Sequence, residues 1–96
     1  MTEAQKIQAQ MKVLIETIQH LTHRRPEDID IERDLTQKIE ALSARFQNLM
    51  AGPPLDPLSP AAVHALGAAV SKLENAVKSS AVATAILQAA TDLANA

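Results

Sequence analysis

Apolar and polar residues alternate along this chain with helical periods from almost its first position. Ala4, Ile7, Met11, Leu14, Ile18 and Leu21 are spaced 3, 4, 3, 4 and 3 residues apart, a coiled-coil-like seam lasting nearly three heptads. Val13 and Ile15 widen that stripe. Thr2 stands where an N-cap belongs, and the pattern predicts a helix over 3–23. Pro26 limits how far it runs, because proline disfavours helical dihedrals at the residue before it and lacks an amide proton. His23, Arg24 and Arg25 place polar and cationic groups at that end, where the helix dipole favours them.

A second stripe, Ile31, Leu35, Ile39, Leu42, Phe46 and Leu49, predicts a helix over 27–50. Pro26 suits its first turn, and Glu27, Asp28 and Asp30 complement the unpaired amides there. Two adjoining helices with matching seams and a short polar joint fold as an antiparallel hairpin. Its expected core seam is Ile7, Met11, Leu14, Ile18 and Leu21 against Leu35, Ile39, Leu42, Phe46 and Leu49.

Residues 51–60 hold four of the five prolines and cannot continue a helix, so 51–59 reads as a stiff connector. Gly52 fits the C-terminal cap of the second helix, and Leu55 and Leu58 are the side chains able to pin the connector to a core. Ser59 as N-cap and Pro60 at the first helical position start a third helix over 60–78, with its stripe at Val63, Leu66, Val70, Leu73 and Val77.

Beyond Lys78 the apolar face flips, since Val82, Ile86 and Leu93 fall on the far side of that helix at 100° per residue. Either the chain breaks around Lys78, Ser79 and Ser80, with Ser80 capping a fourth helix over 80–95, or one long helix is sandwiched between neighbours on two faces. Serine competes well at helix ends and favours the break. The fold class is therefore all-α: a small bundle of three to four helices, an N-terminal antiparallel hairpin followed by an alanine-rich C-terminal segment.

Charge divides the chain unevenly. Residues 1–50 carry 7 Lys or Arg and 8 Asp or Glu, whereas 51–96 carry only Asp56, Lys72, Glu74, Lys78 and Asp92. Ser79 to Thr91 has no ionised side chain. Val82, Ile86, Leu87 and Leu93, set among Ala81, Ala83, Ala85, Ala89 and Ala90, leave that segment without a strongly polar side, which implies burial on more than one face. These four are the candidate interaction residues.

Composition excludes several function classes. Phe46 is the one aromatic residue, so the interior is built from Leu, Ile, Val, Met and Ala, and stacking on bases has almost nothing to use. A net charge of −2 supplies no footprint for nucleic acid or anionic membrane. No cysteine is present, which removes disulfides and thiolate chemistry. The longest uncharged stretch able to be helical, Ser79 to Thr91, is thirteen residues against the ~20 a membrane span needs, and Met1 to Gln10 is no signal-peptide core. The expected setting is the cytoplasm, with leaderless export compatible.

Candidate chemistry is thin. Glu16, His20 and His23 share a helix face at i, i+4 and i+7 and have the residue types of a zinc site, yet polar residues at a helix C-terminus account for them more simply. His64 stands alone on the third helix. The acidic run Glu27, Asp28, Asp30, Glu32 and Asp34 lacks the glycine and ligand spacing of a calcium loop, and Arg24 with Arg25 is a small basic cluster opposite it. No nucleophile and base arrangement stands out, so the chain is expected to be a non-enzyme without cofactor, metal or small-molecule substrate. The leading functional reading is a protein-protein interaction or assembly module, a homo-oligomer or a receiver of a partner helix. The alternatives are a structural or secreted helical subunit of an envelope or secretion assembly, and a small metal-binding protein using Glu16, His20 and His23.

Overall fold

The computed structural model describes residues 1–21, 25–79 and 82–96. Within them the chain forms four α-helices: α1 (Glu3–His20), α2 (Pro26–Met50), α3 (Pro60–Lys78) and α4 (Ala83–Ala94). No strand accompanies them among the described residues; one isolated bridge joins Thr2 to Pro57. The fold is a small all-α bundle.

Local chemistry sets the boundaries. The Thr2 hydroxyl accepts from the Gln5 amide at 3.3 Å while the Thr2 amide donates to Gln5 Oε1 at 2.9 Å, a reciprocal box that satisfies two orphan donors of α1. The expected helix over 3–23 ends earlier, at His20: Leu21 is extended (φ −69°, ψ 132°) and its amide donates to the Ile18 carbonyl. His23 and Arg24 lie outside the described residues. Arg25 is extended before Pro26, as the proline ring requires, and α2 starts at that proline. Ser59 accepts from the Ala62 amide at 3.2 Å and opens α3, again with proline in first place. The chain breaks after Lys78, so residues 60–95 are not one helix. Val82, without a side-chain capping bond, occupies the N-cap of α4, where Ser80 was expected; Ser80 lies outside the described residues.

Four polar or backbone ties fix the helix directions. Arg45 Nη2 donates to Glu3 Oε1 at 2.7 Å, so the start of α1 lies against the end of α2, antiparallel. The Leu58 amide donates to the Met1 carbonyl at 2.6 Å, which sets the start of α3 beside the start of α1. Lys72 and Asp92 join α3 to an antiparallel α4. Gln10 Nε2 donates to the Leu93 carbonyl at 2.8 Å and brings the end of α4 onto the middle of α1.

Packing follows from these directions. α1 lies on α2 and more lightly on α3, while α4 lies on both α3 and α2 and touches α1; α2 and α3 do not meet among the described residues. α4 is therefore a wedge between them. The core consists of Ile7 and Leu14 from α1, Ile31, Leu35 and Leu42 from α2, Leu66 and Leu73 from α3, and Ile86, Ala89, Ala90 and Leu93 from α4. Met11, Ile18, Leu21, Ile39, Phe46 and Leu49 are half-buried against it. Three positions depart from the expected face of α1: Ile15 is exposed, whereas Gln10 and Thr17 are buried. The buried face is turned by roughly 45° from the apolar seam, at 100° per residue, because α1 meets neighbours on more than the α2 side. The radius of gyration is 13.8 Å, against about 12.5 Å for a compact chain of this length, and the extents are 44 × 24 × 17 Å.

Candidate interaction surface

The four residues singled out on the last helix do not share one open face. Ile86 and Leu93 are buried in the intramolecular core, Leu87 is half-buried against it, and Val82 is 70% exposed. Their burial is produced inside the chain by the wedge position of α4. Its outward side is Thr84, Ala85 and Gln88, all exposed.

Polar contacts hold that wedge at its C-terminal end. A helix leaves its last carbonyls without intrahelical donors, and here α1 supplies donors from the side. Gln10 Nε2 reaches the Leu93 carbonyl and, at 3.5 Å, that of Ala94, while Lys6 Nζ donates to the Ala96 carbonyl at 3.0 Å and also pairs with Glu3 at 3.0 Å. Gln10 Oε1 is buried without a hydrogen-bond partner. On the α3 side, the Lys72 ammonium donates to Asp92, and Gln88 Nε2 donates to the other Asp92 oxygen at 3.0 Å. The Lys72 hydrogen bond, seconded by that of Gln88, holds the Asp92 carboxyl below the usual aspartate range.

Length decides where the bundle is left open. α4 has 12 residues and α2 has 25, about 18 Å against about 37 Å of helix, so α4 cannot line the whole of α2. At the uncovered end, the N-terminal turns of α1, the C-terminal turns of α2 and the connector enclose a groove of about 500 Å³. Its apolar surface comes from Ala4, Phe46, Leu49, Met50, Pro53, Pro54 and Leu55, its polar edge from Thr2, Gln5 and Gln8. None of the described residues lining it is ionised. Met50 is 62% exposed on its rim, and Phe46 and Leu49 are half-buried in its wall. The sequence assigned Phe46 and Leu49 to the core seam and Leu55 to the connector's contact with a core, but did not say that these side chains would face one another across a groove.

The histidine-bearing region is different in kind. Glu16 and His20 line a groove of about 380 Å³ between the later turns of α1 and α3, together with Val13, Thr17, Glu74, Asn75, Val77 and Lys78. Among the described residues no three His, Asp or Glu side chains come close enough to hold a metal ion. His23, the third ligand of the expected set, lies outside those residues, and His64 is exposed on α3. The acidic run is the start of α2: Asp28 is buried and accepts from Arg25 Nε and Nη2 at 3.2 and 3.0 Å, and Asp34 pairs with Lys38 at 2.7 Å. Arg25 is thus engaged within its own turn. No described helix is long and apolar enough to cross a membrane. No protein-family model, curated protein or solved structure matches this chain.

Proposed function

We propose that this chain is a non-catalytic interaction or assembly module, which self-associates or receives an apolar partner helix in the groove at the α4-free end of the bundle. The observation that carries this reading is the uncharged groove walled by Phe46, Leu49, Met50 and Leu55. A cleft of that size, apolar in its walls with glutamines on one edge, suits the i, i+3, i+4, i+7 side chains of an amphipathic helix. Water is the poorer occupant: covering one large apolar side chain contributes ~1.5–3 kcal/mol. The molecular surface of 5943 Å² also exceeds, by about a tenth, what a compact monomer of this mass presents.

Met50→Glu tests it. The side chain is exposed, so the variant should melt at the parent temperature, while a charge enters the dry contact and association weakens. Light scattering across a concentration series, or titration with an amphipathic helical peptide, reads the outcome. Association that Met50→Glu leaves unchanged would remove the groove from consideration.

A further inference from the structure

α1 carries a second seam on the side turned away from the bundle. Gln8, Lys12, Ile15 and Gln19 are spaced 4, 3 and 4 residues apart, the same coiled-coil interval as the buried seam, yet all four are exposed, Ile15 to 44%. With Met11 on one flank and Glu16 on the other they surround a shallow hollow of about 450 Å³. At 100° per residue the six cover about 140° of the helix. Among the described residues no other element lines that hollow.

The two charges on this face are unpaired in their own chain. Among the described residues neither Lys12 nor Glu16 enters an ion pair, although they stand four positions apart. Lysine before glutamate is the poorer order for pairing along a helix, set against its dipole. Across two helices the same order is self-complementary. When two copies of α1 lie antiparallel on this face, with the dyad midway between Val13 and Leu14, Gln8 stands level with Gln19 of the second copy. Lys12 then comes within one residue rise, about 1.5 Å along the axis, of the second copy's Glu16 on one flank. Met11 comes within the same offset of the second copy's Ile15 on the other flank. Each contact occurs twice, as an isologous interface requires. A parallel pair instead sets Lys12 against the second Lys12, a like-charge contact that costs energy.

We infer that two copies of this chain associate through the outward face of α1, antiparallel about this dyad, with Lys12 and Glu16 pairing across one flank and Met11 and Ile15 meeting across the other. The occupant is a second copy because the face holds both members of each pair and meets its own image with no charge left over. The contact is small. Gln8 to Gln19 is about 17 Å of helix, and one helix pair of that length buries less than the ~800 Å² per partner of a standard interface, so the dimer is weak and reversible. This inference goes beyond the groove reading: it names a second surface, which shares only Gln8 with the Met50 groove.

Charge exchange tests it on the full chain. Sedimentation equilibrium of the parent up to about 1 mM should show a reversible equilibrium between the monomer and a dimer. Lys12→Glu and Glu16→Lys each turn two attractive contacts into two repulsive ones, and each should raise the dimer Kd about tenfold. The double variant K12E/E16K restores both pairs in the reverse sense and should return to the parent Kd within about threefold. Both side chains are exposed, so all three variants should melt close to the parent temperature. A parent that stays monomeric throughout the series overturns the inference, as does a dimer that the single reversals leave unchanged or that the double variant fails to restore. A dimer abolished by Met50→Glu and indifferent to the charge reversals overturns the α1 contact and leaves the groove reading standing; the opposite result removes the groove as the site of self-association and keeps the α1 contact.

Discussion

Gln10 is the most informative single position to perturb, because its volume and its polarity make separate, opposite-signed predictions. The side chain is fully buried, its Nε2 donates to the Leu93 carbonyl, and its Oε1 has no partner. Gln10→Met keeps the shape and removes the polar atoms. The lost hydrogen bond costs ~0.5–1.5 kcal/mol, and the Leu93 carbonyl retains its bond from the Ala96 amide at 3.2 Å, so it is not orphaned. Against that, the buried amide oxygen disappears, and an unsatisfied group of that kind carries a penalty of ~1–3 kcal/mol. The two nearly cancel, and Gln10→Met should lie within about 1 kcal/mol of the parent. Gln10→Ala deletes the same polar atoms and also empties the site, which by analogy with buried truncations of similar size costs ~2–5 kcal/mol. For a chain of 96 residues, with a total stability of about 5–14 kcal/mol, that loss is large. Urea unfolding followed by circular dichroism measures both variants; the midpoints should separate while the slope stays constant. If Gln10→Met proves as damaging as Gln10→Ala, polarity outweighs packing at this site and the expected cancellation is refuted.

Two further perturbations probe the same helix. Leu93→Ala should destabilise by ~2–5 kcal/mol, whereas Val82→Ala, at an exposed N-cap, should stay within ~0.5 kcal/mol; equal losses in thermal melts would contradict the burial pattern. Because Lys72 and Gln88 lower the folded-state pKa of Asp92, its contribution is present above the unfolded aspartate value and is lost as pH falls through the folded one. The melting temperatures of parent and Asp92→Asn should therefore converge below about pH 4, and a gap that persists into acid would exclude Asp92 as its source.

How much of this architecture could be read from residue order depends on how many neighbours each helix meets. For α2 the stripe of Ile31, Leu35 and Leu42 describes the buried face well. On α1 the stripe misplaces the face, since Gln10 and Thr17 are buried and Ile15 is exposed. Periodicity finds where apolar side chains concentrate, but it does not know that the end of a fourth helix will need a donor from Gln10. The Thr17 hydroxyl is satisfied locally, donating to the Val13 carbonyl at 2.8 Å, so its burial leaves no mark in the pattern. The flip of the apolar face after Lys78 did show in the sequence, and the chain does break there. The open groove did not show, because Ala4, Phe46 and Leu55 come from three separate segments and no spacing rule links them.

The unequal burden carried by α4 ties these observations together. Ala89 and Ala90 are fully enclosed, and their short side chains let α4 approach α2 and α3 at once. The same shortness leaves only two large side chains, Ile86 and Leu93, fully committed to the core from this helix. Their burial is worth ~3–6 kcal/mol together, before the entropy of ordering twelve residues is set against it. α1 and α2, by contrast, share a long seam that includes Ile7, Leu14, Ile31, Leu35 and Leu42. α4 should therefore open at a lower free energy than the hairpin, and its amides should exchange with solvent faster than those at the middle of α2. Uniform protection across α2 and α4 would instead make α4 part of a single cooperative core and refute this ranking.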